Sequence, residues 1–450
     1  MEILLDKADL SSNLNRLMPI LPLSLKEKLA PLKKTLGPNP NIEGKIKYKD
    51  SKDSYSIEGL LLIAIPGIKL NDLKTDFSIN FGKNETEEIK ISKFSFSGFN
   101  GILNGKANGN LIKKANKEKP PLGPYYPALD LSLNLNSEKQ VELVNGIKFD
   151  GKVSIDVNLK DYIAKGKIDS KKTNFVSYSG VCKDNDYSAC SLINVNEINI
   201  DFPFEHDLKI STTKNLIEGN KIKYISTYGN TLPPNFTIRS VLGTHPYLTT
   251  ELFKLVQEAG NTPGLTARLD YKENVFTINQ LKIAILDGLI FGKDILLNIG
   301  NLNLEEMEYA STIQIKDIDL KQLLPTKSRK EIKDGKVKAD LNLSGKNLKD
   351  PIANLNLFFS VFKIGDDFGK SAIRIVSPPN ILTDGIISSY SKVNNIEIEL
   401  SKGLIYADIV FQRSILSSIF IGIENNKISQ ERMPLANFLN RAQSEVSKYE

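Results

Sequence analysis

Tryptophan is absent from this sequence, and cysteine and histidine each occur only twice in 450 residues. The two cysteines, Cys182 and Cys190, and the two histidines, His206 and His245, do not form a zinc motif. Neither histidine lies near a serine in an elbow motif or near a metal-ligand partner, so both are interpreted as solvated or turn residues. No metal site, no catalytic residue and no cofactor is predicted, and an enzyme is not expected.

Concentrated positive charge is also missing. The 59 basic and 53 acidic residues are interspersed, for a formal net charge of +6, and there is no arginine-rich block. This distribution argues against nucleic acid as a partner. A glycine-rich phosphate loop is not found either, because G-F-N-G-I-L-N-G (98–105) has no following helix to offer its N-terminus.

Long apolar runs are lacking as well. The best ones cover residues 60–65 and 415–423, well short of the roughly 18 residues that indicate a spanning helix. The start, M-E-I-L-L-D-K-A-D-L, has neither the basic region nor the apolar stretch of a signal peptide. Taken alone, these features predict a soluble cytoplasmic protein, or part of a longer chain whose anchor lies outside it.

What the sequence does contain is a strict alternation of apolar and polar residues. Residues 128–136 read A-L-D-L-S-L-N-L-N, and successive side chains of a β-strand point to opposite faces. Such a strand has one apolar and one polar face. The same pattern recurs along the chain, and its candidate apolar-face residues are Phe94, Phe96, Leu129, Leu131, Leu133, Leu135, Val153, Ile155, Val157, Leu159, Leu341, Leu343, Leu355, Leu357, Ile396, Ile398 and Leu400.

Turn signals separate these strands. Pairs such as Asn100-Gly101, Asn104-Gly105, Asp150-Gly151 and Asp287-Gly288 supply the positive φ of tight hairpins. Short connections predict neighbouring antiparallel strands, hence a meander of on the order of 25 strands. Helices are predicted only at residues 24–36, 249–259 and 434–449, with a short turn at 319–330.

Few helices leave the apolar face without a cover. A helix covers about 10 Å of sheet width, so those predicted cover only about a third of the face. Exposing a Leu or Ile forgoes roughly 1.5 to 3 kcal/mol. The sheet could therefore close on itself as a sandwich or barrel, stack as a solenoid, or form an open trough occupied by hydrocarbon chains.

A family resemblance favours the trough. Residues 335–357 place a strand, Ser344-Gly345, a short linker, Pro351 and a second strand in succession. Residues 281–295 contain a strand pair with a central glycine, and 313–325 a strand followed by Asp-Leu-x-x-Leu-Leu. With the helix that begins after proline at 428–439, these motifs resemble the AsmA-like family of bridge-like lipid-transfer proteins. The resemblance is best over residues 265–450.

The resemblance implies a fold, a function and a location. The fold is mainly β, a long antiparallel meander curled into an open, twisted β-trough with an apolar interior and few short helices. The trough is expected to conduct the acyl chains of phospholipids, or of other lipids, between the inner and outer membranes, with the apolar-face residues lining its groove. The chain lacks the family's N-terminal anchor, so it resembles a periplasmic segment held to the membrane by a missing anchor or by partner proteins.

Four segments are predicted on this basis: a helical lead-in (1–38), a first trough part with a disulfide hairpin (39–246), an AsmA-like second part (247–430) and a C-terminal helix (431–450). The rival hypothesis is a structural or adhesive β-sandwich or barrel with a self-filled core. Cys182 and Cys190 share one polar loop and either form a disulfide, which indicates an oxidising compartment, or are two reduced thiols.

We expect Cys182 and Cys190 to be joined in protein taken from its native compartment. A loop of this length contributes roughly 2.5 kcal/mol in the chain-entropy model. Intact mass measured with and without reductant checks this, because reduction adds two hydrogens. A mass that does not change would contradict the pairing and the oxidising compartment together.

Overall fold

The computed structural model describes residues 1–9, 40–65, 70–82, 88–113, 125–144, 146–180, 190–209, 217–218, 221–222, 232–245, 249–299, 304–324, 329–330, 332–350, 354–377, 392–411 and 427–446. The protein is mainly β, and 21 of its strands belong to one antiparallel sheet. Two α-helices and one 3-10 helix accompany the strands in the described part. The predicted mainly-β class with few short helices is confirmed.

The strands follow the alternating segments of the sequence. They are β1 (Glu2–Asp9), β2 (Asn41–Asp50), β3 (Ser54–Ile65), β4 (Leu70–Gly82), β5 (Glu88–Gly98), β6 (Leu103–Lys113), β7 (Tyr125–Val144), β8 (Ile147–Lys160), β9 (Ile163–Gly180), β10 (Cys190–Asp207), β11 (Ile217–Glu218), β12 (Lys221–Ile222), β13 (Phe236–His245), β14 (Thr249–Val256), β15 (Leu265–Lys272), β16 (Val275–Ile285), β17 (Gly288–Asn298), β18 (Glu308–Asp319), β19 (Lys336–Lys346), β20 (Leu355–Ile364), β21 (Val393–Ser401), β22 (Leu404–Phe411) and β23 (Lys427–Pro434). The helices are α1 (Asp366–Val376), α2 (Leu435–Val446) and the 3-10 helix Leu320–Leu323.

Consecutive strands are neighbours, which confirms the meander. Each strand from β1 to β8 pairs antiparallel with the next one along the chain. The β5–β6 turn is an example, because Phe99, Asn100 and Gly101 all have positive φ. The Asp72 carboxylate accepts hydrogen bonds from the backbone N–H groups of Phe99 and Asn100. Tight turns of this kind fix the register of the hairpins.

Two glycine pairs predicted as turns lie inside strands instead. Asn104-Gly105 belongs to β6, and Asp150-Gly151 belongs to β8. At Gly151 the φ is 109°, and the β8–β9 register shifts between Asp150 and Lys152. The pair therefore forms a β-bulge, which has the same backbone requirement as a turn. A glycine pair that predicts positive φ therefore does not distinguish a hairpin turn from a β-bulge.

The helix predicted at residues 249–259 is wrong, because this segment forms β14. Its backbone pairs with β13, where Val241 is opposite Val256, and with β16. Hydrogen bonding to neighbouring strands overrides the helical spacing of the apolar residues. At the N-terminus, residues 2–9 of the predicted helical lead-in form strand β1 instead. The helix predicted at 24–36 lies outside the described residues.

The chain divides into two compact units. The first contains Met1–Ser177 and Glu197–Lys209, and the second contains Tyr178–Asn196 and Ile210–Glu450. The boundary predicted after residue 246 lies inside the second unit. In that unit, β15 to β23 continue as an antiparallel meander. The turn predicted at 319–330 is the 3-10 helix Leu320–Leu323, whose first turn is capped by the Asp319 side chain.

The second unit has a closed apolar core beneath its two helices. The helix predicted at 434–449 is confirmed as α2, which begins directly after Pro434, whereas α1 was not predicted. The core consists of Val337, Ala339, Val361, Ile373, Val376, Ile396, Leu400, Ile405, Ala407, Ile409, Phe411 and Met433. Leu435 and Phe438 of α2 pack against it. Leu439 of the same helix is 55% exposed.

A charged contact joins the two helices. The Arg441 guanidinium of α2 donates to the carbonyl oxygens of Ile375 (3.3 Å) and Val376 (3.2 Å) at the end of α1. The last carbonyls of a helix have no partner within the helix, and an arginine there also complements the helix dipole. Arg374 of α1 approaches Glu445 of α2 at 3.8 Å. Together these contacts fix the two helices over the core.

We expect Arg441→Met to lower the stability of the second unit by about 1 kcal/mol, since two long charge-assisted hydrogen bonds are lost. Urea unfolding followed by circular dichroism measures the change. Lys392→Met is the matched control, because Lys392 is exposed. Equal midpoints for the two variants would contradict a stabilising role for Arg441.

Candidate functional site

The register of β7 and β8 brings eight of the predicted apolar-face residues together. Leu129, Leu131, Leu133 and Leu135 of β7 are opposite Leu159, Val157, Ile155 and Val153 of β8, in that order. Residues directly opposite one another in an antiparallel pair point to the same face. These eight side chains therefore share one face of the first unit.

Two rows of paired residues extend this face across β2 to β9. The Phe94 row consists of Ile46, Gly59, Phe77, Phe94, Ala107, Leu131, Val157 and Gly166. The Phe96 row consists of Gly44, Leu61, Thr75, Phe96, Gly105, Leu133, Ile155 and Ile168. Neither row contains a charged residue, and Thr75 is the only side chain in them with a polar group.

The residues of this face are only partly covered by the described part of the chain. Leu131 and Leu133 are 39% and 36% exposed, and the other predicted residues of the first unit are half-buried. Ile409 in the core of the second unit is 0% exposed by comparison. A well-packed core buries such side chains almost completely. The predicted apolar-face residues of the first unit are thus less buried than this core, although other side chains of the same unit, such as Phe149 at 0% exposed, are fully buried.

The opposite face of the same strands is polar. Asn158 donates to Asp130 (2.7 Å), and Lys167 forms an ion pair with Asp201 (2.8 Å). A depression of about 440 Å³ is lined by polar residues of this face, such as Lys106 and Asp156, and also by Leu131 and Val157 of the Phe94 row. Exposed pairs of this kind contribute little to stability. This face is suited to water, so the unusual surface of the sheet is the apolar one.

The seven predicted residues of the second unit also share a face but have different surroundings. Leu341 and Leu343 of β19 are opposite Phe359 and Leu357, which continue to Ile398 and Leu400 of β21. Ile396 and Leu400 belong to the core under α1 and α2, and Leu355, Leu357 and Ile398 pack against it. Protein therefore covers the apolar face around these five residues, whereas Leu341 and Leu343 are half-buried and do not belong to this core.

Several aromatic residues of the first unit's apolar face were not among the predicted site residues. Tyr55 is opposite Phe81 and stacks on it, with ring centroids 4.6 Å apart, and Tyr48 lies 6.0 Å from Tyr55. Phe77 lies in the Phe94 row. The alternation in F-S-I-N-F (77–81) contained this signal, since both of its phenylalanines are on the apolar side of β4.

Cys190 is buried and disulfide-bonded. The sequence contains one other cysteine, Cys182, which lies outside the described residues. The predicted pairing of the two remains to be tested by mass measurement. A disulfide at Cys190 is typical of proteins in oxidising compartments.

The interpretation of His206 as a solvated residue is wrong. His206 lies in β10 and is only 8% exposed. Burial lowers the pKa of its imidazole, an effect that the neighbouring Asp207 carboxylate partly opposes. The alternation I-N-I-D-F-P-F-E-H (198–206) could have predicted this position, because it continues the strand through residue 206. His245 ends β13, and its side chain lies outside the described residues.

Comparison with models of known protein families, with characterised proteins and with solved structures found no match. In the part of the chain that the structure describes, no helix is both long and apolar enough to cross a membrane.

His206 predicts a pH dependence of stability. Because its pKa is lower in the folded than in the unfolded protein, stability is complete above about pH 6.5 and falls as the pH drops through the folded-state pKa. We expect His206→Gln to reduce this loss. Urea unfolding at pH 7.5 and 5.5 measures it, with His245→Gln as the control. A loss of equal size in His206→Gln and the parent protein would rule out His206 as its source.

Proposed function

We propose that this chain is a lipid-transfer protein, or a segment of one, whose apolar face conducts phospholipid acyl chains between the inner and outer membranes of a cell envelope. The observation that carries the proposal is the continuous, uncharged and partly exposed face formed by the Phe94 and Phe96 rows. Leaving that many apolar side chains in water is costly, and acyl chains would remove them from it.

The dimensions of the face favour acyl chains over a compact ligand. Each row crosses eight strands, which at about 4.8 Å per strand is about 34 Å. One acyl chain spans about half of the roughly 30 Å bilayer core, or about 15 Å. A row is thus longer than any single chain and is suited to a path along which lipids move. Contacts with hydrocarbon are also non-directional. A compact ligand is oriented by several polar groups, whereas Thr75 has the only polar side chain in the two rows.

Two observations support an envelope location. The disulfide at Cys190 fits the oxidising periplasm. The motifs at 281–295, 313–325 and 335–357, which resemble those of AsmA-like proteins, coincide with β16–β17, with β18 and its 3-10 helix, and with β19–β20. We expect attachment to the inner membrane to come from an N-terminal anchor or from partner proteins.

The second candidate is a structural or adhesive protein with a self-filled core. The observation that favours it is the closed core of the second unit, where α1 and α2 cover the sheet. Organic extraction of the purified protein followed by mass spectrometry separates the two candidates. Co-purifying phospholipid supports transfer, whereas protein free of lipid favours the structural role.

We expect Leu133→Asp to leave the first unit folded and to abolish lipid binding. Leu133 is partly exposed, so a carboxylate there reaches water at a cost of about 1 kcal/mol, whereas an acyl chain lying over it would remove the charge from water at a much larger cost. Ile409→Asp, in the closed core, is expected to cost several kcal/mol, since it buries an unpaired charge. Thermal melting and the amount of phospholipid per protein are the two measurements.

Ser132→Asp is the matched control, because Ser132 is adjacent to Leu133 but on the polar face. This variant is expected to melt and to bind lipid like the parent protein. Global unfolding of Leu133→Asp, together with a parent protein that carries no lipid, would exclude the proposed function.

A further inference from the structure

Both rows of the first unit pair a strand glycine with a phenylalanine on the neighbouring strand. Gly59 is opposite Phe77, and Gly105 is opposite Phe96. A Cβ atom built on Gly59 would come within 2.4 Å of Cζ of Phe77, and one on Gly105 within 2.2 Å of Cε1 of Phe96. Real Cβ atoms do not approach other atoms so closely. Each ring therefore occupies the space that a side chain at the glycine would take.

The same arrangement recurs at Gly166, which ends the Phe94 row, and at Gly345 of the second unit. A Cβ on Gly166 would come within 2.6 Å of Cζ of Phe204, and one on Gly345, which is opposite Tyr309, within 2.3 Å of the Tyr309 hydroxyl oxygen. A ring over a cross-strand glycine is a known way to compensate for the missing side chain. Gly59 and Gly105 lie in the interior of the two rows, with a row residue on both neighbouring strands, so the ring over each of them shapes the apolar face itself.

The leaning of these rings changes how far their side chains project from the apolar face. Side chains in strands normally stand roughly perpendicular to the sheet. Phe77 and Phe96 instead lean across the strand beside them, along the direction of their rows. This position keeps two of the largest side chains of the rows close to the sheet surface. The two rings can take this position only because glycine lies opposite each of them, since any larger residue would occupy the same space.

We propose that Gly59 and Gly105 are positioning residues for the lipid path. They allow Phe77 and Phe96 to lie close to the sheet, which leaves room for an acyl chain above the two rings. This inference rests on the proposed function. The Phe rings contact the acyl chain, and the glycines act only through them. Replacing either glycine by alanine raises the ring into the path and displaces part of the chain that would otherwise lie there.

The test compares Gly105→Ala with the double variant Gly105→Ala/Phe96→Leu, using a palmitoyl phosphatidylethanolamine that carries a fluorescent headgroup. Displacement of about two methylene groups from the face predicts roughly tenfold weaker binding for Gly105→Ala. The double variant has no ring to raise, so its binding is expected to return close to that of the parent. Gly59→Ala and Gly59→Ala/Phe77→Leu repeat the test in the other row.

Gly243→Ala is the control for the substitution itself, because the one atom of the described residues within 4 Å of a Cβ at Gly243 of β13 lies at 3.5 Å, an ordinary contact. Melting temperatures are measured for every variant. Single variants that bind like the parent, double variants that stay as weak as the single ones, or single variants that do not fold would each overturn the inference. A parent protein that does not bind the probe would overturn the proposed function itself and the inference with it.

Discussion

The organisation of this protein depends on one constraint of antiparallel pairing: residues opposite one another on adjacent strands point to the same face. Leu131 fixes the orientation of Ala107 on one side and of Val157 on the other, and each of these fixes the next strand. A slip of one residue would move Ser132 and Asp156 to the apolar face. The alternation within a single strand thus becomes a property of the whole first unit.

The two units use this constraint with different results. In the second unit, α1 and α2 lie over the apolar face, and side chains such as Ile409 are fully buried. In the first unit, the described residues leave Leu131 and Leu133 more than a third exposed. A closed core gains stability from close packing, whereas an open apolar face gains it from whatever binds there. The difference in burial explains why the first unit carries the functional proposal.

Much of this fold can be predicted from the sequence, because a period of two is a local signal. The faces of β7 and β8 follow directly from the alternation of Leu129 to Leu135 and of Val153 to Leu159. Features that depend on distant strands cannot be read in this way. Thr249–Val256 has helical spacing but pairs with β13, and Gly105 has the sequence of a turn but lies under Phe96.

Helix α1 shows a different limit of sequence analysis. Phe368, Ala372, Ile373 and Val376 have helical spacing, but Gly365 precedes the helix and provides no side-chain cap. The usual start signal is therefore missing. Without this helix, the residues beneath it look like the rest of the apolar face. For that reason Ile396 and Leu400 were grouped with Leu131 and Leu133, although their surroundings differ.

The meander of the first unit also bears on how such a chain changes in length during evolution. Among the residues that the structure describes, β2 to β8 each pair only with the strands before and after them in sequence, so insertion of one further hairpin requires no rearrangement of distant pairings. Stability in such quasi-one-dimensional arrays is approximately a sum over neighbours. Duplicating a hairpin with the same alternation would lengthen both rows by two residues and preserve their register. The length of the apolar face is thus a property that selection can adjust one hairpin at a time.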